Sequence, residues 1–272
     1  MRVVLCALAK NEHLYINDWV NHYVGLGIDK IYLYDNDDPK SPYIGNYITQ
    51  KDKVEIINIR GVHKDKLQHD IYTTFYNTHN FDWCLFVDID EYLVGITNIK
   101  QFLSNPIFHY YNQIRIKWRL FGDDNLIERD MSIPVMQAFK QEVKHSLNRN
   151  LRDKGTLEKQ GKMIVRGNLD NVVIRSPHFA SKFKRDNVLF SCLPNGRATI
   201  SQVVIRDYYD DQKVFINHYM TKSLKEFLDQ KLNRTDAVFG DISIKMNYYW
   251  RINKKTPEKL AYLRKRGING EI

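Results

Sequence analysis

The sequence predicts an α/β fold built on a mostly parallel sheet with helices on both faces. Three observations carry this expectation. Short apolar runs of strand length alternate with segments of helical spacing from the first residues onward. Parallel strands require crossover helices, and the alternation supplies them. Several of the strand-like runs end in polar or acidic groups. In a parallel sheet such loops meet at the carboxyl edge, where open α/β folds bind ligands.

Val3 to Ala9 reads as a buried first strand, followed by the polar loop Lys10-Asn11-Glu12. From about Tyr15 to Leu26, Ile16, Trp19, Val20, Tyr23, Val24 and Leu26 keep helical spacing, and Gly25 and Gly27 help to end the helix. Ile31 to Tyr34 is a second strand, running into the turn-rich Asp35-Asn36-Asp37-Asp38-Pro39. Val54 to Ile59 is a third. A helix from about Lys66 to Asn77 leads to the stretch that organises the chain, Phe81 to Leu93.

That stretch opens with apolar Trp83 to Val87 and closes on Asp88, Asp90 and Glu91. If the strand continues, Asp88 and Asp90 share one face, with Ile89 opposite. Carboxylates held so close repel unless a cation accompanies them. The economical cation is an oxygen-loving divalent ion, Mn²⁺ or Mg²⁺, that also meets a substrate phosphate. The chain has neither a Gly-x-Gly-x-x-Gly loop nor a Gly-Lys-Ser/Thr loop. A diphosphate would therefore depend on a metal rather than on backbone amides alone.

Downstream, residues 94 to 110 look helical, with Ile99, Phe102 and Leu103 on one side. Gln113 to Leu120 alternates. Ile114, Ile116 and Trp118 share one face, and Arg115, Lys117 and Arg119 share a face expected to be wet or ligand-facing. It runs into Phe121-Gly122-Asp123-Asp124-Asn125. Residues 139 to 171 read as a mobile segment around a short strand, Met163 to Val165. Val172 to Ile174 begins a piece reaching His178, and Val214 to Tyr219 is a strand carrying His218. Ser223 suits an N-cap with Glu226 at the capping-box position, opening a helix to about Leu232. Pro257 to Arg266 is a basic helix.

The 272 residues allow one large domain or two small ones. A net charge of +9 favours anionic partners, among them nucleic acid, anionic membrane and phosphorylated small molecules. Three cysteines, Cys6, Cys84 and Cys192, form no C-x-x-C pair, which argues against a zinc site of that kind and fits a reducing compartment. Neither a signal peptide nor an apolar run of roughly 20 residues is evident. The expected location is cytoplasmic. The basic segment after residue 253 would allow peripheral contact with an anionic membrane, through Lys259, Arg264 and Arg266.

Several pieces, in this order, resemble glycosyltransferase family 92 and family 2-like bacterial glycosyltransferases. They are Ala7 through Glu12; Trp19 with His22-Tyr23; Gly27 through Lys30 before Tyr34-Asp35-Asn36; Gln68; Trp83 through Leu93; Trp118 through Gly122; Lys162 with Val165-Arg166; His178; and Asn217-His218-Tyr219 with Thr221-Lys222-Ser223, Glu226-Phe227 and Lys231. The resemblance covers most of the chain. It implies a GT-A type nucleotide-sugar-binding fold and inverting transfer of a hexose, galactose foremost, from a UDP-sugar to a glycan or lipid-linked glycan, as in bacterial surface polysaccharide or lipo-oligosaccharide assembly. It implies Asp88 near the ribose or donor sugar and Asp90 on Mn²⁺ (or Mg²⁺), with Asp88 also in the candidate metal set and His218 as a second protein ligand. The donor contacts are expected from Ala9, Lys10, Asn11, Glu12, Asp35, Asn36, Gln68, Asp88, Ile89 and Lys222. The chain departs from the pattern after Phe121-Gly122, where relatives usually place Ser, Asn or Gly and this chain has Asp123-Asp124.

An inverting transfer needs a base, for which Asp123, Asp124 and His178 are the candidates, with Glu226 pre-empted by capping. Lys162, Arg166 and Lys222 are candidates for phosphate contacts. The expected organisation is one glycosyltransferase domain over 1–240, with a donor half at 1–125 and an acceptor half at 126–240, and a basic helical extension at 241–272. A haloacid-dehalogenase-like phosphatase would place Asp-x-Asp after its first strand, with Thr or Val two residues on. Here it follows a fourth strand, with Tyr92 at that position. A nucleic-acid binder would need aromatics interleaved with basic residues on one face, and no such motif is recognised.

Overall fold

The computed structural model describes residues 1–143, 160–182, 189–199, 213–232 and 242–268. Residues 144–159 of the expected mobile segment lie outside the described residues, as do 241 and 269–272 of the expected extension. Strand β1 is Val3–Ala9, β2 Lys30–Asp35, β3 Val54–Asn58, β4 Trp83–Phe86, β5 Glu91–Val94 and β6 Gln113–Leu120. Later come β7 (Gly161–Arg166), β8 (Val172–Ser176), β9 (Phe179–Lys182), β10 (Ser191–Cys192), β11 (Ala198–Thr199) and β12 (Phe215–His218). The helices are α1 (Ile16–Gly25), α2 (Leu67–Thr78), α3 (Ile99–Leu103), α4 (Val135–Ala138), α5 (Leu224–Glu226, continuing as a π turn to Leu232), α6 (Ile242–Trp250) and α7 (Pro257–Lys265).

The main sheet runs in the order β11-β10-β6-β7-β4-β1-β2-β3, with β12 pairing β5 and β6. The β4-β1-β2-β3 half is parallel throughout. The sequence said so through its crossovers: α1 joins β1 to β2, and α2 joins β3 to β4. Strand β7 is antiparallel to both β4 and β6, while β10 returns parallel to β6. Helix α1 buries Ile16, Trp19, Val20 and Tyr23, the stripe its periodicity marked. Each such side chain contributes about 1.5–3 kcal/mol of burial.

Two compact units emerge, Met1–Trp118 with Lys159–Asn217, and Arg119–Glu158 with His218–Ile272. The first unit's core includes Cys6, Tyr72, Phe75, Cys84, Phe86 and Met163, with α2 laid against it. The second centres on Leu224, Phe227, Met246, Tyr249 and Leu263. Ser223 and Glu226 form the expected capping box.

Four sequence expectations change. Strand β4 ends at Phe86 and a turn follows over Ile89 and Asp90, so Asp88 and Asp90 do not share a strand face. The backbone turns because Glu91 N–H bonds back to the Asp88 carbonyl at 3.1 Å and the Glu91 carboxylate accepts from Asp88 N–H at 3.0 Å. The expected helix over 94–110 shrinks to α3 and a 3₁₀ turn at Pro106–Phe108, because Asn98 and Asn105 each cap a new start. The basic face of β6 is wet only at its end: Arg115 is 0% exposed and Lys117 7%, while Arg119 is partly exposed. The strand lies between β7 and β10 with both faces covered, so periodicity alone misjudged it. Lys259, expected to face lipid, is fully buried in an ion pair with Asp123, and Leu263 joins the unit's core.

Gly167 N–H donates to the Asp82 carbonyl at 2.8 Å, drawing the chain leaving β7 against the chain entering β4. A Cβ at Gly167 would sit 1.8 Å from the Phe81 carbonyl oxygen, which is backbone and cannot swing away. Gly167→Ala is expected to destabilise by about 2–4 kcal/mol. A lowered urea midpoint with unchanged slope checks it.

Candidate functional site

The carboxyl edge of β4 is closed by a tight turn. Asp88 N–H donates to Glu91 Oε2 at 3.0 Å, and Glu91 N–H donates to the Asp88 carbonyl at 3.1 Å. Trp19 Nε1–H spans the same turn, lying 3.0 Å from both the Asp88 and Glu91 carbonyls. The Tyr23 hydroxyl donates to the Glu91 carbonyl at 2.9 Å and accepts from Leu93 N–H at 3.1 Å. Helix α1 thus fixes the acidic turn through two aromatic donors one helical turn apart.

Inside this turn lies Lys162, from β7, 0% exposed. Its ammonium donates to Asp88 Oδ2 at 2.6 Å and sits 3.4 Å from Glu91 Oε2. Asp88 Oδ1 accepts from Gln68 Nε2 at 2.9 Å, and Gln68 also reaches the Tyr72 hydroxyl at 3.0 Å. Burial pulls the Lys162 amine down, but Asp88 and then Glu91 outweigh it, so its pKa rises and the charge is kept. Burial pushes the Glu91 carboxyl up, Lys162 pulls against it, and Asp88 and Asp90 push it up again. An ammonium inside the turn offsets repulsion that would otherwise disperse it. Removing one partner of a fully buried pair costs about 3–5 kcal/mol, a scale that applies to the Glu91 arm; the Asp88 carboxylate is 36% exposed and its arm is worth less.

Asp90 and Glu91 each offer a carboxylate oxygen and His218, closing β12, an imidazole nitrogen; the three ligand atoms lie within 4.8 Å of one another, and all three residues are buried. Strand β12 pairs with β5, on which Glu91 sits. Two hard oxygens with one imidazole suit Mn²⁺ well and Mg²⁺ less well. The acidic and histidine cluster is therefore fit to hold a divalent ion. Asp88, expected in that set, is not in the cluster: both its oxygens are engaged by Gln68 and Lys162.

At the ends of β1 and β2, Asn36 N–H donates to the Ala9 carbonyl, and Asn11, at φ 58°, donates its N–H to Asp37 Oδ1. Asp35 Oδ1 accepts from Asp37 N–H at 3.1 Å, and its Oδ2 lies 3.7 Å from Arg60 Nε. Burial raises the Asp35 pKa. Asn36 Nδ2 is spent on the carbonyls of Ile59 and Val62, so it ties loops together. Lys10 and Glu12 are buried in the first loop, and Ile89, within the acidic turn, is 2% exposed. Asp37 is fully buried beside Asn11. It belongs to the acidic loop Asp35 to Pro39, where no local pattern sets it apart.

In the second unit, the Asp123 carboxylate is held by Lys259 and the Tyr249 hydroxyl, and its Oδ1 accepts from Asn125 N–H at 2.9 Å. Asp124, at φ 50°, accepts from the backbone N–H groups of Lys140 at 2.8 Å and Gln141 at 3.1 Å. Lys222 is 3% exposed at φ 54°. Arg166, by contrast, lies over the Trp83 ring at 4.3 Å and donates to the Phe108 and Tyr111 carbonyls. His178 donates its Nδ1 proton to the Gly161 carbonyl at 2.8 Å, which leaves the lone pair on Nε2, and its ring meets Trp118 edge-on at 5.1 Å.

No family model and no curated protein matches the chain. Among solved structures, S. aureus TarS residues 1–349 align at TM-score 0.40 and 14% identity over 100% of this chain and 75% of that one. The same fragment in complex with UDP gives 0.37 and 15% over 61% and 47%. The mannosyltransferase PcManGT from Pyrobaculum calidifontis, in complex with GDP-Man and Mn²⁺, gives 0.33 and 11% over 43% and 36%. The chain spans 28% of a longer TarS structure. No residue role follows from likeness at this level.

Burial first, then the Lys162 charge, lower the His178 pKa from 6.5 to about 3. The folded protein keeps this ring neutral, whereas the unfolded chain protonates it. The stability it favours is therefore fully present above pH 6.5 and lost as pH falls toward 3. His178→Gln should flatten that part of the stability curve. Urea midpoints compared between pH 7 and about pH 4 check it.

Proposed function

We propose that this chain is a metal-dependent glycosyltransferase that moves a hexose, galactose foremost, from a UDP-sugar to a glycan or lipid-linked glycan with inversion. The observation that supports it best is the convergence of Asp90, Glu91 and His218 beside an acidic turn whose Asp88 is pinned by Lys162 and Gln68. It stands at the carboxyl edge of β4 in a parallel half-sheet, the edge where open α/β folds bind nucleotides. The sequence resemblance to glycosyltransferase family 92 points the same way through the same residues.

In this reading Asp90, Glu91 and His218 hold the ion. A divalent ion held there would supply positive charge to offset the negative charge developing on a diphosphate leaving group. Asp88 keeps its carboxylate at the mouth of the turn, where it accepts hydrogen bonds from hydroxyls of the ribose or donor sugar. Asp35, Asn11 and Lys10 line the neighbouring strand ends and address the nucleoside. Of the three base candidates, Asp123 and Asp124 have carboxylates committed to Lys259, Tyr249 and backbone amides. His178 keeps a lone pair on Nε2 but with a pKa of about 3, so it accepts a hydrogen bond from the acceptor hydroxyl more readily than it removes the proton.

Among the described residues no helix is long and apolar enough to cross a membrane. The proposed contact with an anionic surface now rests on Arg264 and Arg266 without Lys259.

The test is release of UDP from a panel of UDP-sugars with a crude glycan acceptor, in Mn²⁺ and in EDTA. Asp90→Ala and EDTA should each abolish turnover while the circular dichroism spectrum is kept. Full turnover in Asp90→Ala, or in EDTA, would contradict the reading.

A further inference from the structure

The charge arrangement of the acidic turn has a cation built into it. Asp88, Asp90 and Glu91 bring three carboxyl groups into four residues. Lys162 is the fully buried ammonium that meets two of them, at 2.6 and 3.4 Å. If all three carboxyl groups are ionised, one ammonium and one divalent ion together match their charge, and the ammonium is the one of the two that the fold itself supplies.

The two cations divide the carboxylates. Lys162 and Gln68 between them engage both oxygens of Asp88. The ion-fitted cluster takes Asp90, Glu91 and His218 and leaves Asp88 out. Position explains the division. Lys162 stands opposite Ile116 on β6, on the same face as Trp118, whose ring lies 5.9 Å from its ammonium. From that position the Lys162 ammonium meets Asp88 Oδ2 at 2.6 Å and lies 3.4 Å from Glu91 Oε2. Lys162 has no exposed surface from which to contact a phosphate.

We infer that Lys162 is a positioning residue that reserves Asp88 for the donor's hydroxyl groups by keeping it off the metal, so that this chain's Asp-x-Asp contributes one metal ligand rather than two. The inference rests on the metal-dependent reading above and assigns the work within that site. Without the ammonium, Asp88 is released to join the ion. The metal would then bind more tightly, and the hydroxyl acceptor would be lost.

Mn²⁺ binding to the protein without donor, followed by the paramagnetic resonance of the free ion, separates the possibilities. Lys162→Met should bind Mn²⁺ roughly tenfold more tightly, since affinity tracks the charge and number of oxygen ligands. Adding Asp88→Asn to it should return the affinity to the wild-type value. Should Lys162→Met fail to fold, Asp88→Asn alone decides, because its side chain is part-exposed. It should keep the Mn²⁺ affinity within about twofold while raising the donor KM roughly tenfold or more, the loss of a hydrogen bond to a charged group. A tenfold loss of Mn²⁺ affinity in Asp88→Asn overturns the inference, as does a folded Lys162→Met with a lowered Tm and unchanged Mn²⁺ affinity. Wild-type protein that binds no Mn²⁺ overturns the functional reading itself, and this inference with it.

Discussion

The buried ammonium of Lys162 is the constraint on which the acidic turn depends. Asp88, Asp90 and Glu91 repel one another in a closed turn without compensation, and a permanent compensating charge comes from β7, more than 70 residues along the chain. Strand β7 reaches that place because it is hydrogen-bonded antiparallel between β4 and β6. The register places Phe86 opposite Met163, so Lys162 continues one residue beyond, level with the chain as it turns. Insertion of an antiparallel strand into an otherwise parallel half-sheet thus has a local electrostatic consequence.

Around that pair the support is aromatic and specific. Trp19 and Tyr23 donate to the turn's carbonyls, and Ile89 within the turn is buried. These groups hold the backbone while the side chains of Asp88 and Asp90 diverge, one toward Lys162 and Gln68, the other toward His218 and Glu91. The second unit repeats the chemistry with a different purpose. Asp123 and Lys259 form a buried pair completed by Tyr249 and Asn253, which ties α7 to the loop after β6. A basic helix that reads as surface-seeking is held instead by its most central lysine.

The local signals were legible. Apolar runs located the first four strands to within a residue or two, helical spacing gave the buried stripe of α1, and Ser223 with Glu226 announced a cap. The acidic turn and His218 were legible as candidates because their residue types have few other uses together. What the sequence withheld was long-range. Nothing near Lys162 marks it as a partner for Asp88, because that depends on β7 pairing. The same pairing buries Arg115 and Lys117, whose alternation imitates a wet face. No local pattern marks Glu91 as a metal ligand, since only the turn after Phe86 brings it round beside Asp90 and His218. Asp123 looked catalytic from its loop, and its commitment to Lys259 lies 136 residues away in sequence, beyond any local pattern.

The central claim is that the acidic turn with His218 binds a divalent ion that in turn recruits a nucleoside diphosphate. Titration calorimetry of UDP into the protein, with Mn²⁺ and with EDTA, tests it directly. The account requires UDP affinity to rise roughly a hundredfold with Mn²⁺, on the scale of a coupling of 1–3 kcal/mol, and the gain to vanish in Asp90→Asn. UDP affinity that is the same with and without Mn²⁺, or a Mn²⁺-dependent gain that survives in Asp90→Asn, would contradict it.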